Sequence, residues 1–122
     1  VENVYRIFPI LKERKNQIAS SLSGGEQRLL EIARALMLRP KLILLDEPSA
    51  NLAPILVNMV YKKVEELRDE EKIAFGIVEQ NVVKALDVAD YAYVLDLGQV
   101  ALEGTKKEVL DVPKMRALYL AA

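Results

Sequence analysis

The stretch "KLILLDEP", Lys41 to Pro48, sets four consecutive apolar residues directly before two acids and a proline. An unbroken apolar run of that length suits a strand buried on both faces, and such strands belong to parallel sheets covered by helices. "IAFGIVEQ", Ile73 to Gln80, reads as a second buried strand that again ends in polar residues. "YAYVLDLGQVALEG", Tyr91 to Gly104, reads as a strand, a tight turn at Leu97 and Gly98, and a returning strand. With helical patterns between these runs the order is strand, helix, strand, helix, strand. That is an α/β order, in which ligands sit off the C-terminal ends of parallel strands.

The helices carry their own boundary signals. Val4, Ile7, Phe8, Ile10 and Leu11 are interrupted by Pro9, which predicts a short helix, a break and a second helical turn or two. Ser23 and Glu26 have the spacing of a capping box. The helix they open is expected to run to about Leu38, to bury Leu29, Leu30, Ile32, Ala33, Leu36 and Met37, and to stop before Pro40. Pro54 suits a first helical position, with Ile55, Leu56, Met59, Val60, Val64 and Leu67 on one face. A further helix carries Val82, Val83, Leu86 and Val88. Thr105 and Glu108 form another capping box, and Pro113 forces a restart.

Composition then narrows the chemistry. The chain has 122 residues, enough for one domain or part of one. It contains no cysteine and no histidine. Disulfides, thiolate metal sites, imidazole bases and His-ligated metals are excluded within it, which leaves carboxylates, amides, hydroxyls and backbone N–H groups. Net charge is −1, with both signs interspersed, so no basic face points to nucleic acid or anionic lipid. No apolar run approaches the roughly 20 residues of a membrane span. The chain opens on Val1, without a methionine or a signal pattern, and is expected to be a fragment.

Two motifs carry chemistry. Asp46 and Glu47 follow a buried strand, where one carboxylate can hold Mg²⁺ while the next polarises a water for attack on a phosphoryl group; two acids ending a strand in solvent is the bland alternative. "LSGGEQ", Leu22 to Gln27, offers backbone N–H groups at Gly24 and Gly25, the Ser23 hydroxyl and a positive helix end, together an anion nest. An ordinary capped helix is its bland alternative. Tyr91 and Tyr93 fit strand packing better than an adenine platform, because alternation puts both on one strand face. Lys62, Lys63, Lys84, Lys106 and Lys107 read as solvated helix faces, and Arg28 and Arg34, which could reach a phosphate or a partner, read more simply as surface pairing groups.

"LSGGEQRLLEIARAL", "LILLDEPSANLAP" and "GIVEQN" resemble, in order and spacing, the signature motif, the Walker B motif with its D-loop, and the switch region of ATP-binding-cassette (ABC) ATPases. The resemblance covers nearly the whole chain. More narrowly, "LAP" after the D-loop serine, "VEQN" at the switch and "FP" followed by "LKER" before the signature resemble the ATP-binding subunit of branched-chain amino acid transporters.

The resemblance implies a partial P-loop NTPase fold. Parallel core strands would be flanked by helices and the phosphate-loop strand would be missing, with residues 1–40 ending a helical subdomain and 41–122 forming the core. It also implies roles. Asp46 would assist Mg²⁺ through water, and Glu47 would orient or deprotonate the attacking water. Ser23, Gly24 and Gly25, with Glu26 and Gln27 completing the signature, would serve ATP held by the opposite subunit of a head-to-tail dimer. Ser49, Ala50, Asn51 and Leu52 would form the D-loop across that interface. Gln80 stands at the switch, where most of the family has histidine; its amide can donate to a phosphate oxygen but cannot carry the imidazolium charge. The D-loop "SANLAP" departs from the commoner "SALD", which leaves the role of Asn51 open.

The implied partners are a second ATPase subunit, identical or different, membrane permease subunits and, indirectly, a solute-binding protein, with no nucleic acid. The implied location is cytoplasmic, peripheral on the inner face of the cell membrane. Two other readings are an ATPase head lobe of a DNA-repair or chromosome-maintenance protein and a non-catalytic domain that donates a signature motif in trans. The pattern G-x-x-x-x-G-K followed by Ser or Thr, whose backbone and lysine cradle nucleotide phosphates, is absent from the 122 residues. The isolated chain is therefore expected neither to bind ATP tightly nor to hydrolyse it, and to leave apolar sheet faces and strand edges exposed.

Overall fold

Pro9 divides the first apolar stretch as its chemistry requires. In the computed structural model, which describes residues 1–121, α1 (Glu2–Ile7) ends at Phe8 and α2 (Pro9–Glu13) starts with the proline in its first turn. Phe8, at the break, is fully buried. A short 3₁₀ turn at Ala19–Ser21 leads into α3 (Gly24–Leu36). This helix ends earlier than its hydrophobic pattern predicts. Residues before a proline are driven out of the helical region, and Arg39, preceding Pro40, adopts a positive φ of 51°. The amides of Met37, Leu38 and Arg39 donate to carbonyls three residues back, so the last turn tightens. Met37 is consequently exposed, not buried, and Leu30 only half-buried.

Next come β1 (Leu42–Asp46), α4 (Pro54–Glu70) and β2 (Ala74–Val78). The two strands are sheet neighbours joined through α4, the crossover that parallel pairing needs. The apolar stripe of α4 runs through Val57, Val60, Tyr61, Val64 and Leu67. Ile55, expected in the core, lies off this stripe and is 75% exposed. β1 also departs from expectation. Ile43 is buried and Leu45 half-buried, but Leu42 and Leu44, on the other face, are 54% and 76% exposed. The apolar run covers one face with core and leaves the other open, in keeping with the exposed sheet faces anticipated above.

Compactness divides the chain into a first unit, Val1–Ile77, and a second that starts at Val78. α3 and β1, on either side of residue 40, share the first unit and one core, in which Leu29, Ile32, Ile43, Val60 and Leu67 meet Phe8. Lys63 belongs to this core's edge and is not a solvated helix residue. Its ammonium donates to the Ile7 carbonyl at 2.9 Å, pairs with Glu66 and lies 5.5 Å above the Phe8 ring.

In the second unit α5 (Val82–Val88) precedes the hairpin of β3 (Ala92–Asp96) and β4 (Gln99–Gly104), followed by α6 (Lys106–Leu110) and α7 (Pro113–Leu120). Leu97 and Gly98 form the two-residue turn, both at positive φ, and a bulge at Val94/Leu95 shifts the antiparallel register. Ala92, Val94 and Leu102 pack toward Leu86, Val109 and Met115. Tyr91 and Tyr93 pack edge to face on each other at 5.3 Å and stay exposed, with the Tyr91 hydroxyl donating to Glu103. Lys106 is a second exception to the solvated reading of the lysines. It donates to Asp87 at 2.7 Å and to the Tyr119 hydroxyl at 3.0 Å, while that hydroxyl donates to the same Asp87 oxygen, which ties α5, α6 and α7 together. Among the described residues no helix is long and apolar enough to cross a membrane.

Candidate functional site

The turn from Ser23 to Gln27 is organised by its own side chains. The Ser23 hydroxyl accepts from the Glu26 N–H at 3.3 Å, and the Glu26 carboxylate accepts from the Ser23 N–H at 2.8 Å, the reciprocal pair expected from their spacing. The Ser23 backbone N–H, first, then the Ser23 side chain and the charge of Arg14 at 3.6 Å hold the Glu26 carboxyl below its ordinary pKa. The Gln27 amide donates to the carbonyls of Leu22 and Ala19 at 3.1 and 3.3 Å and pins the preceding turn. Glu26 and Gln27 thus turn their side chains onto the chain's own backbone. Gly24 and Gly25 open α3, where N–H groups have no intrahelical acceptor and the helix end is positive. This geometry can hold an anion through backbone donors.

Asp46 closes β1 and is exposed at the strand's C-terminal end. Glu47 follows at once with φ 44°, a conformation uncommon for a residue with a side chain, and Pro48 behind it is buried. The chain then turns through Ser49, Ala50 and Asn51 to Leu52. The Ala50 amide donates to the Glu47 carbonyl at 3.0 Å and the Leu52 amide to the Ser49 carbonyl at 3.3 Å, while Asn51 also takes a positive φ, 61°. A cavity of about 220 Å³ lies between α3 and β1, with Arg28 and Glu31 on one wall and Asp46 and Pro48 on another. Arg28 pairs with Glu31 at 2.8 Å, the surface pairing its sequence position suggests. Among the described residues no three His, Cys, Asp or Glu side chains cluster to cage a metal. Asp46 alone offers one exposed carboxylate, so a cation held there would keep most of its ligands as water.

The first unit thus brings the turn from Ser23 to Gln27, Asp46, Glu47 and the segment from Ser49 to Leu52 into one body. Gln80 belongs to the second unit, exposed just after β2. Its turn has an organiser that sequence reading missed. The Glu79 carboxylate accepts from the N–H groups of Gln80 and Asn81 at 2.9 and 3.1 Å, and Asn81 caps α5 by accepting from the Lys84 N–H. The signal was present, since an Asn directly before an apolar helical pattern is an N-cap candidate.

Comparison with known proteins points one way. The ABC transporter family model matches residues 1–50. The high-affinity branched-chain amino acid transport ATP-binding protein BraG of Pseudomonas aeruginosa is 48% identical over 120 residues, 98% of this chain and 51% of that protein. The lipopolysaccharide export system ATP-binding protein LptB of Haemophilus influenzae is 39% identical over 106 residues, 87% of this chain and 44% of that protein. Among solved structures, the ADP conformation of MJ1267, an ATP-binding cassette of an ABC transporter, superposes with a TM-score of 0.78 at 37% identity, over 99% of this chain and 50% of that one. The chain spans about half the length of the curated relatives it matches.

Proposed function

This chain belongs to the ABC transporter ATPases, and from that membership we propose that it is part of the ATP-binding subunit of an importer of amino acids, branched-chain ones in particular. The observation that carries the reading is the arrangement in the first unit. A capped Ser23-Gly24-Gly25 turn with helix-opening N–H groups stands in one body with Asp46 and Glu47 at the end of β1. In this reading residues 1–40 end the helical subdomain and 41–122 form the core. Asp46 helps hold Mg²⁺ through water. Glu47 orients the attacking water or accepts its proton, and Gln80 donates to the γ-phosphate. Ser23, Gly24 and Gly25 bind ATP held by a second ATPase subunit, across an interface lined by Ser49, Ala50, Asn51 and Leu52. Permease subunits and a solute-binding protein complete the assembly, with the ATPase on the cytoplasmic face of the membrane.

ATP binding then closes the dimer and hydrolysis reopens it. Removing the Glu47 carboxylate separates the two, because closure needs phosphate contacts whereas turnover also needs an activated water. The test is a chimera in which the upstream half of BraG precedes Val1. It is expected to bind and hydrolyse ATP, and its Glu47→Gln form to keep ATP binding while turnover falls by about 100-fold or more. Turnover by the variant at the rate of the parent chimera overturns the assignment of Glu47. Relatives named as lipopolysaccharide export proteins, at 39% identity, support export as a second reading of the transported substrate. Restoring leucine uptake to cells lacking their own branched-chain ATPase decides between the two. The relatives named above are transport proteins, and none of them supports a DNA-repair role.

A further inference from the structure

Glycine usually answers a conformational need, yet Gly24 and Gly25 do not: neither is among the residues at positive φ. What a side chain would meet there is close packing. A Cβ at Gly24 meets Leu52 Cδ2 at 3.0 Å, and one at Gly25 meets Met59 Cε at 2.7 Å, Leu56 Cδ2 at 3.0 Å and Leu56 Cβ at 3.2 Å. Every one of those walls comes from the segment that leaves the D-loop and enters α4. Leu52 is also the far end of the turn that starts at Glu47, closed by its two backbone hydrogen bonds and bent at both Glu47 and Asn51. Close-packed contacts pass displacement on with little slack.

We propose that Leu52 and Met59 are positioning residues for the signature turn: seated on Gly24 and Gly25, they set where the helix-opening N–H groups point, and they carry any displacement of the 47–52 turn to those groups within one chain. The consequence for turnover rests on the reading given under Proposed function. There Glu47 and the signature N–H groups serve different nucleotides, so this contact is an internal path from one nucleotide to the other.

The test uses the 122-residue chain and no nucleotide, so its failure counts against the contact, whereas failure of the Glu47→Gln chimera counts against the functional reading. Leu52 is half-buried and packs against the edge of the first unit's core, so Leu52→Ala trims that edge and keeps every fully buried residue. The amide NMR signals of Ser23, Gly24 and Gly25 are expected to shift in this variant. The Glu26 carboxyl is expected to titrate closer to its ordinary value as the Ser23 bonds loosen. The Thr105–Glu108 box in the second unit has the same reciprocal bonds and serves as an unchanged control. Leu52→Met is expected to return the signals toward wild type. A Leu52→Ala chain that melts lower while the Gly24, Gly25 and Glu26 signals stay put shows plain packing and overturns the proposal. In a second arm, Gly25→Ala is expected to lower the melting temperature by about 4–12 °C, with part of the loss recovered in the double variant Gly25→Ala, Met59→Ala. No recovery removes Met59 from the contact and likewise overturns the proposal.

Discussion

At the residue scale, the turn from Ser23 to Gln27 is held by side chains that bond the chain's own backbone. Ser23 satisfies one orphan N–H of α3, and Glu26 returns the favour to Ser23 itself. Ser23→Ala is expected to cost about 1 kcal/mol of stability in chemical denaturation, the usual loss of an N-cap. The same pair makes stability depend on acid. Glu26 has its folded pKa below the ordinary value of 4.5, so it binds a proton less readily in the folded chain than in the unfolded one. Its contribution is present in full above 4.5 and is lost as pH falls through the lower folded value. Melting curves of the wild type and Glu26→Gln, compared from pH 7 downward, are expected to differ at neutral pH and to converge in that acid window. A difference that grows on acidification contradicts the capping assignment.

At the element scale, local signals predict where helices and turns begin better than which faces they bury. The hairpin of β3 and β4 turns on Leu97 and Gly98, as the dipeptide's position between two strand patterns suggests. Yet Leu97 is an unusual choice there, 98% exposed at φ 46°, where a side chain strains the left-handed backbone. Asparagine tolerates that conformation and is the common partner of glycine in such turns. Leu97→Asn is therefore expected to stabilise the hairpin by about 0.5–1 kcal/mol, read as slower amide exchange across residues 92–104. Faster exchange would show that Leu97 makes a contact its exposure does not reveal.

At the scale of the whole molecule, the exposed leucines of β1 and the exposed Tyr93 and Leu95 of β3 leave apolar strand faces without a covering layer among the described residues. The absence of a glycine-rich, lysine-bearing phosphate loop from the 122 residues has a functional counterpart. Backbone N–H groups at Gly24 and Gly25 can meet an anion, and the 122 residues hold no glycine-rich, lysine-bearing cradle for the β- and γ-phosphates of a nucleotide. The purified 122-residue chain is expected to show no ATP turnover above background and no saturable ATP binding at micromolar nucleotide. Turnover that disappears on Glu47→Gln would overturn this and place a complete site within the chain.

Much of the site was legible in the sequence because it is built from short-range chemistry. The reciprocal cap of Ser23 and Glu26, the break at Pro9, the start at Pro54, the Thr105 cap and the acids ending β1 all depend on neighbours within a few residues, and each stands where the pattern puts it. Burial did not follow in the same way, because it depends on what lies across space. Leu42, Leu44 and Ile55 are as apolar as Ile43 and Val57, and only the placement of α3, α4 and β2 decides which of them meets a partner. Lys63 and Lys106 look like surface charges until Phe8, Ile7, Asp87 and Tyr119 are brought beside them. The two glycines are the clearest division. Sequence alone marks them as a place where a phosphate can approach backbone N–H groups. Only the tertiary structure reveals that a side chain at either glycine would press on Leu52, Leu56 or Met59, because contacts between distant residues leave no trace in local spacing.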